Sequence, residues 1–201
     1  KNQESGAVRV RLTVFRNDGG LYTPSTNDVS YVIETRDMES PFFILDDGDY
    51  EVELFKDYYV NKDMLSNLKS TNKILNVVAG VYAEENGYAN CLLVNTDKKV
   101  VEAINGNLFL VKGNEIKTPP LSDGCLDGII RKNLMKIITG SEEYDLVEDS
   151  ISPFELQKVD ELFITNSIVG IKPISKYRKK EYESKVAKSL VGKLNAKARI
   201  G

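Results

Sequence analysis

This chain contains no histidine. The residues whose types and sequence positions could support chemistry are Lys69, Glu102 and Gly128. Without imidazole, the Ser-His and Cys-His nucleophile systems and the commonest transition-metal ligand are excluded, so Lys, Tyr, Asp and Glu must carry any acid–base chemistry. Lys69 follows an apolar residue and precedes a helical pattern, whose positive pole would favour a neutral, nucleophilic amine. Gly128 lies where a loop enters a second helical pattern, and the backbone N–H groups of such a turn suit a phosphate. Alone, each of these residues would be assigned to the solvated surface or to an ordinary helix entry.

The elements that must position these residues follow from hydrophobic periodicity. Alternation predicts strands over 8–16, 31–35 and 50–55, hairpins formed by 88–95 with 99–103 and by 107–111 with 115–117, and further strands over 144–148 and 161–165. Spacings of three, four and seven predict one long helix between Lys69 and Gly87, and another that begins at Gly128 and ends at Gly140. Ser152 and Pro153 are expected to cap a short helix, and a final helix is predicted over 179–194. Hairpins mixed with isolated helices indicate an α+β (mixed α/β) domain rather than a doubly wound sheet.

Composition narrows the class of protein. The 201 residues are 41% apolar, which is enough for a sizeable core, and the formal charge of −3 gives no overall field for nucleic acid or an anionic membrane. Cys91 and Cys125 lack CxxC spacing, which favours two reduced thiols in the cytoplasm over a disulfide or a metal site. No apolar run is long enough to span a membrane. The basic run 176–181 is short and ends in an acid, so we interpret it as a solvated helix start rather than a nucleic-acid site.

Three short motifs follow one another between residues 102 and 131. The first begins at Glu102 and ends in Asn107-Leu108-Phe109, the second is Ile116-Lys117-Thr118, and the third is Leu126-Asp127-Gly128-Ile129-Ile130-Arg131. In this order and spacing they resemble the signature of the class IV aminotransferases. That family of pyridoxal phosphate (PLP) enzymes also contains aminodeoxychorismate lyase.

The resemblance implies roles for the matched residues. Lys69, 33 positions before Glu102 (102 − 69), matches the lysine that forms an imine with PLP and then moves the substrate's α-proton. Glu102 matches the carboxylate that keeps the pyridine nitrogen protonated, so that the ring can act as an electron sink. Leu126 matches a residue that packs against the cofactor ring.

The phosphate site is also implied by the resemblance. Gly128, Ile129 and Ile130 match the backbone that binds the phosphate, and Ser167 aligns with a hydroxyl residue that contacts it. Family members usually carry Thr where this chain has Ile130, so one hydroxyl contact is lost here and Ser167 is expected to compensate. Arg131 matches the last signature position, where we expect a structural ion pair instead. An arginine that reaches the phosphate from nearer the N-terminus in this family has no match in this chain.

The resemblance further implies a fold-type IV architecture with barrel-like sheets and flanking helices, usually in a homodimer. The chain begins at Lys1 without an initiator Met, which we interpret as a fragment. Residues 1–61 would form the end of a small N-terminal domain with connecting strands, truncated at its start, and residues 62–201 the large PLP-binding domain.

Three functions are compatible with these residues. The first is an aminotransferase that moves an amino group between an amino acid and a 2-oxo acid through a Lys69 imine. The alternative is aminodeoxychorismate lyase, which releases pyruvate to form 4-aminobenzoate; Asn72 and the Asn166-Ser167 pair resemble lyase or D-amino-acid transaminase members more than branched-chain ones. The third is a non-catalytic domain that has kept the fold, which Ile130 favours and the intact Lys69 and Glu102 oppose.

Overall fold

The computed structural model describes residues 6–200 and divides into two compact units, Lys1–Phe42 and Phe43–Gly201. The described part of the first unit is a long antiparallel hairpin of β1 (Ala7–Arg16) and β2 (Val29–Met38), paired from Ala7↔Met38 to Arg16↔Val29. Both strands were predicted, and the second is longer than its sequence pattern indicated because cross-strand pairing extends it at both ends.

The second unit is built on a mixed sheet of ten strands. The strands are β3 (Glu51–Val60), β4 (Asn90–Asn95), β5 (Val100–Ala103), β6 (Gly106–Lys112), β7 (Glu115–Thr118), β8 (Asp145–Glu148), β9 (Glu161–Asn166), β10 (Gly170–Ile174), β11 (Lys176–Tyr177) and β12 (Lys180–Glu181). Their order is β10-β9-β6-β5-β4-β3-β11-β12, while β7 pairs with β6 and with β8. The pairs β3–β4, β3–β11 and β7–β8 are parallel and the others antiparallel. The α+β expectation is confirmed.

Three helices cover this sheet: α1 (Ile74–Glu85), α2 (Ile129–Thr139) and α3 (Lys185–Ile200). Helix α1 crosses between the parallel strands β3 and β4, as a parallel pair requires. It buries Ala79 and Ala83 in a cluster with Phe55 and Leu93. Helices α2 and α3 pack on a separate apolar cluster centred on the stacked rings of Phe109 and Phe163, whose centroids are 5.2 Å apart. The two helical patterns at 69–87 and 128–140 are therefore confirmed, with α1 beginning at Ile74.

The C-terminal part of the sequence prediction is wrong in one respect. Residues 176–181, interpreted as a helix start, form the hairpin β11–β12, and α3 begins at Lys185 instead of Lys179. Strand β11 pairs with β3, with Lys176 opposite Glu51 and Tyr177 opposite Val52. This pairing joins segments about 125 residues apart, so a local pattern could not show it. The helix expected after Ser152 and Pro153 is a short 3-10 turn, Leu156–Lys158.

Strand β3 lies inside the large sheet, and the boundary between the two compact units falls after Phe42. The predicted division at residue 61 remains a prediction about the small and large domains of the whole protein. Within residues 6–200, no helix combines the length and the apolar character needed to cross a membrane.

Candidate active site

Three buried polar side chains lie in one row across the middle of the sheet. Glu102 on β5 is opposite Asn107 on β6, and Asn107 is opposite Thr165 on β9. Directly opposed residues share one face of a sheet, so the three side chains project to the same side. Each of the three side chains is almost fully buried. Burying such a row of polar side chains costs free energy unless each polar group has a hydrogen-bonding or ionic partner.

The row opens into a cleft of about 380 Å³, which we call the central cleft. Its walls come from four separate segments: the chain before α1 with the first turn of α1, the end of β5 through the start of β6, the loop that enters α2 with the first residues of α2, and the end of β9 with the following turn. All the site residues predicted from the sequence line it: Lys69, Glu102, Leu126, Gly128, Ile129, Ile130 and Ser167. The volume lies in the range of small-molecule and cofactor sites.

Glu102 lies at the base of the cleft, and 6% of its surface is exposed. The Leu126 backbone N–H donates to its Oε2 at 2.8 Å. Burial raises the pKa of the Glu102 carboxyl, and this effect outweighs the lowering by the Leu126 hydrogen bond and by the positive charges of Lys73 and Lys69. A carboxylate in such a setting is stabilised by a cationic or N–H partner in the cleft.

Lys69 lies in the irregular connection between β3 and α1, not on the helix itself. The Asn67 side chain fixes this connection, since its Nδ2 donates to the carbonyls of Leu121 at 3.0 Å and Cys125 at 2.7 Å. The Asp127 N–H also donates to the Asn67 carbonyl at 3.1 Å. These bonds hold the Lys69 segment beside the loop that enters α2. Lys73, the residue directly before α1, brings a second amine to the same cleft.

Gly128 precedes the first residue of α2, and its lack of a side chain allows a close approach to β6. A Cβ at this position would lie 2.0 Å from Asn107 Oδ1. Asn107 also holds the loop, because its Nδ2 donates to the Leu126 carbonyl at 2.7 Å. No side chain caps the α2 N-terminus, so the backbone N–H groups of the first turn are directed toward the cleft without a side-chain acceptor.

Ile130 and Ser167 differ in what they offer to the cleft. The Ile130 side chain is buried in the apolar cluster beneath α2, so only its backbone can bind an anion. Ser167 lies exposed in the turn between β9 and β10, next to Asn166. Asn166 Oδ1 accepts from the N–H groups of Ile168 at 2.9 Å and Val169 at 3.1 Å, which fixes the turn. The Ser167 hydroxyl thus lies on an ordered turn at the rim of the cleft.

Arg131 does not line the central cleft. Its buried Nη2 donates to the Pro119 carbonyl at 2.8 Å and forms an ion pair at 2.9 Å with Glu148, whose side chain is partly open to solvent. The prediction of a structural ion pair at this position is confirmed.

Sequence reasoning missed Thr165, Asn67 and Lys73 as residues of the cleft. Thr165 is 1% exposed, lines the cleft, and its hydroxyl has no hydrogen-bond partner among the described residues. A threonine in a strand of apolar residues was the available signal, but threonine is common in strands. Thr165 can be recognised as part of the polar row only once β5, β6 and β9 are paired.

Comparison with known proteins places this geometry in a family. The model of amino-transferase class IV matches residues 1–177. Branched-chain-amino-acid aminotransferase 2 of Arabidopsis thaliana is 34% identical over 107 residues, which is 51% of this chain and 27% of that protein. Aminodeoxychorismate lyase of Vibrio harveyi is 27% identical over 137 residues, 66% of this chain and 50% of that protein. This chain therefore spans half or less of the length of these curated relatives.

The fold is also found in solved structures. A crystal structure of an aminotransferase from Brucella abortus bound to PLP superimposes with a TM-score of 0.79 at 18% identity, and the match covers 94% of this chain and 69% of that one. At this identity the likeness shows the fold, which is the fold-type IV architecture expected from the sequence.

Proposed function

The chain belongs to the class IV aminotransferases, a PLP-dependent enzyme family, and we propose that it forms the cofactor-binding part of an aminotransferase that moves an amino group between an amino acid and a 2-oxo acid. The single observation that carries the proposal is the convergence of Lys69, Glu102 and the α2 N-terminus on one cleft. These groups are separated by up to 60 residues in the sequence, and the hydrogen bonds of Asn67 and Glu102 to the loop that enters α2 hold them together.

The residues of the central cleft fit PLP. The buried Glu102 carboxyl is suited to pair with the pyridine nitrogen, and the uncapped first turn of α2 is suited to the phosphate. Ser167 would add a hydroxyl to the phosphate from the β9–β10 turn, and Leu126 would pack against the ring. Thr165, which has a buried hydroxyl without a partner, would donate to or accept from a polar atom of the cofactor.

PLP, when bound, supplies an electron sink for the bonds around the substrate's α-carbon. Lys69 would hold the cofactor covalently, and its amine, once free, would remove the α-proton and return it. Glu102 would hold a proton at the pyridine nitrogen, and the low exposure of the row would keep water away from that contact. Asn107 and Asn67 act as positioning residues, since they fix the loop and the connection that carry the contact groups.

Lys73 makes the assignment of the reactive lysine testable, because both amines line the central cleft. We expect borohydride reduction of the PLP-loaded whole protein, followed by peptide mass mapping, to place a pyridoxyl group on Lys69. Lys69→Ala should abolish the label, whereas Lys73→Ala should keep it. Labelling of Lys73 in the wild type, or undiminished labelling in Lys69→Ala, would contradict the assignment.

Aminodeoxychorismate lyase remains the second candidate. It is favoured by Asn72 after Lys69 and by the Asn166-Ser167 pair, in which Asn166 is the residue that orders the cleft-lining turn. The same lysine and electron sink can serve elimination of pyruvate as well as amino transfer. An assay of pyruvate release from aminodeoxychorismate beside amino transfer to 2-oxoglutarate separates the two functions.

We also propose a cytoplasmic homodimer. Cys91 and Cys125 are buried and free, which suits a reducing compartment. Helix α1 exposes Ile74, Val77, Val78 and Val81, at the spacing of one helix face, in addition to the face that it buries against the sheet. Ile74 lines a surface hollow together with Leu65 and Leu68, which are also exposed. A continuous apolar surface of this kind supports contact with a second copy.

A further inference from the structure

A second cleft, which we call the basic cleft, lies away from the proposed cofactor site and shares no lining residue with it. Its volume is about 360 Å³, and it is lined by Leu54, Lys56, Tyr59, Val94, Lys98, Pro153, Phe154, Gln157 and Arg178. Three of these residues are cations and none is acidic, in a chain whose formal charge is −3. The proposed chemistry at Lys69 gives this cleft no role.

The basic cleft has an apolar base and aromatic walls. Leu54 and Val94 belong to the buried core of the sheet, so the cleft reaches down to that core. Tyr59 packs against the same core, while Phe154 is 74% exposed beside the opening. An exposed phenyl ring next to an accessible apolar base offers a surface on which a planar ring can stack.

The cations of the basic cleft are largely free to bind an anion. Among the described residues, neither Lys56 nor Lys98 forms an ion pair. The Lys98 ammonium lies 3.4 Å from the centroid of the Tyr59 ring. Arg178 pairs with Glu53 through Nε at 3.5 Å, which leaves the terminal nitrogens of the guanidinium for another acceptor. Exposed cations next to an apolar base favour a ligand that carries both a ring and a negative charge.

The backbone conformation gives an independent observation. Lys98 (φ 62°) and Arg178 (φ 57°) are the two non-glycine residues with positive φ in the described part of the chain, and both line this cleft. Arg178 takes the first position of the two-residue turn between β11 and β12, with Tyr177 paired to Lys180. Two-residue hairpins with positive φ at that position favour Gly, and left-handed positions in general favour Gly or Asn. Long cationic side chains therefore occupy two positions for which the backbone alone would favour other residues.

We propose that the basic cleft is a binding site for a small planar-ring anion, with the ring on Phe154 and the apolar base and the negative group on Lys98, Arg178 and Lys56. The ring and the charge are both required, because the cleft offers apolar surface and unpaired cations side by side. The negative group is a phosphate or a carboxylate, and the probes below distinguish them.

The positive φ angles of Lys98 and Arg178 suggest substitutions that remove a charge and fit the backbone conformation. Lys98→Asn and Arg178→Gly each remove a cation and place a residue that the turn prefers. The gain in backbone conformation opposes the loss of the Lys98–Tyr59 contact in the first variant, and the loss of the Arg178 contacts with Glu53 and Tyr177 in the second, so each thermal midpoint should change little. Exposed Lys136 on α2 lies outside the cleft, and Lys136→Gln is the matched loss of one charge. If Lys98 and Arg178 had a purely structural role, their substitution would lower stability. A variant that loses ligand binding and keeps its stability would therefore indicate a role in binding.

The test uses the whole protein loaded with PLP, so that the phosphate site of the central cleft is occupied. Adenosine 5′-monophosphate and benzoate serve as ring-bearing probes for the two anion types, with adenosine and inorganic phosphate as controls that lack charge or ring. Titration calorimetry should show saturable binding of at least one ring-bearing probe, at least about tenfold tighter than either adenosine or inorganic phosphate. Lys98→Asn and Arg178→Gly should each weaken that binding about tenfold, and Lys136→Gln should not change it.

The proposal would be overturned if neither ring-bearing probe binds saturably, or if the probe that binds does so as tightly to the cleft variants as to the wild type. Equal binding of inorganic phosphate and adenosine monophosphate would also overturn it, because the ring would then contribute nothing. Borohydride labelling of Lys69 in the same variants separates this outcome from the proposed function, since the two clefts share no lining residue.

Discussion

In the apo protein, the buried environment of Glu102 disfavours the ionised carboxylate. A protonated nitrogen beside the carboxylate would make the same environment favourable for the ionised form. Burial raises the pKa of the Glu102 carboxyl above its ordinary value of 4.5, despite the hydrogen bond from Leu126 and two nearby lysines. A raised pKa means that the folded state binds the proton more tightly than the unfolded chain does. The contribution of this group to stability is therefore fully present below pH 4.5 and is lost as the pH rises through the folded-state pKa.

We therefore predict that Glu102→Gln stabilises the apo protein at pH 7 relative to the wild type, and that this difference shrinks as the pH falls toward 4. The glutamine keeps an acceptor for the Leu126 N–H but has no charge to desolvate. PLP binding should weaken about tenfold or more, because the charge-assisted contact is lost. Thermal unfolding against pH, with and without PLP, measures both effects.

Glu161→Gln is the matched control for this prediction. Glu161 is also buried, but its carboxylate accepts from the N–H groups of Val186 at 2.8 Å and Ala187 at 3.1 Å, at the start of α3. Neutralising it removes a favourable helix-end interaction, so this variant should be destabilised at pH 7. A Glu102→Gln protein that is also less stable than the wild type at pH 7 would contradict the argument.

Thr165 leads to a second prediction at the scale of one residue. Its buried hydroxyl has no partner in the described chain, whereas the equally buried Thr118 donates to the Leu108 carbonyl at 2.8 Å. Thr165→Val should leave the stability of the apo protein unchanged or slightly higher and weaken PLP binding about fivefold. Thr118→Val should instead lower the free energy of unfolding by about 1 kcal/mol and leave PLP affinity unchanged.

Chemical denaturation of the two apo variants and spectroscopic PLP titration give the comparison. If Thr165→Val loses stability as Thr118→Val does, the Thr165 hydroxyl has a structural partner and no role toward the cofactor.

At the scale of elements, the sequence was informative where a segment's own pattern determined its structure. Helices α1 and α2 and the hairpins β4–β5 and β6–β7 follow from local periodicity and turn residues. The hairpin β11–β12 does not, because its polar residues gain strand geometry from pairing with β3 and from a turn at Arg178 whose backbone is left-handed. A short basic stretch before a helix has the same composition as a helix start, so its local pattern favoured the wrong structure.

The central cleft shows the same division between local and long-range information. Lys69, Glu102 and Gly128 could be proposed because their motifs resemble a family signature, and they line one cleft. The roles of Asn67, Asn107 and Thr165 depend on bonds and registers between distant segments, such as Asn107 opposite both Glu102 and Thr165. No periodicity within one segment carries that information.

At the scale of the whole molecule, the exposed apolar face of α1 is the feature to explain, because a single copy of the chain leaves this face open to solvent. Val77 is 60% exposed at the centre of this face, and α1 also has a buried face against the sheet. Helices that are apolar on both faces are usually covered on both. A second copy of the chain is the partner that we propose.

We predict that the PLP-loaded whole protein sediments as a dimer and that Val77→Glu shifts it to monomer, with the dimer dissociation constant raised about a hundredfold or more. An unpaired carboxylate buried in an apolar contact costs several kcal/mol, and each 1.4 kcal/mol corresponds to about a factor of ten. Ile44→Glu is the control, because Ile44 is also an exposed apolar residue of the second unit but lies outside α1. Sedimentation velocity over a range of concentrations measures the shift, and circular dichroism checks that each variant is folded. A folded Val77→Glu protein that remains as dimeric as Ile44→Glu would show that this face of α1 does not form the dimer contact.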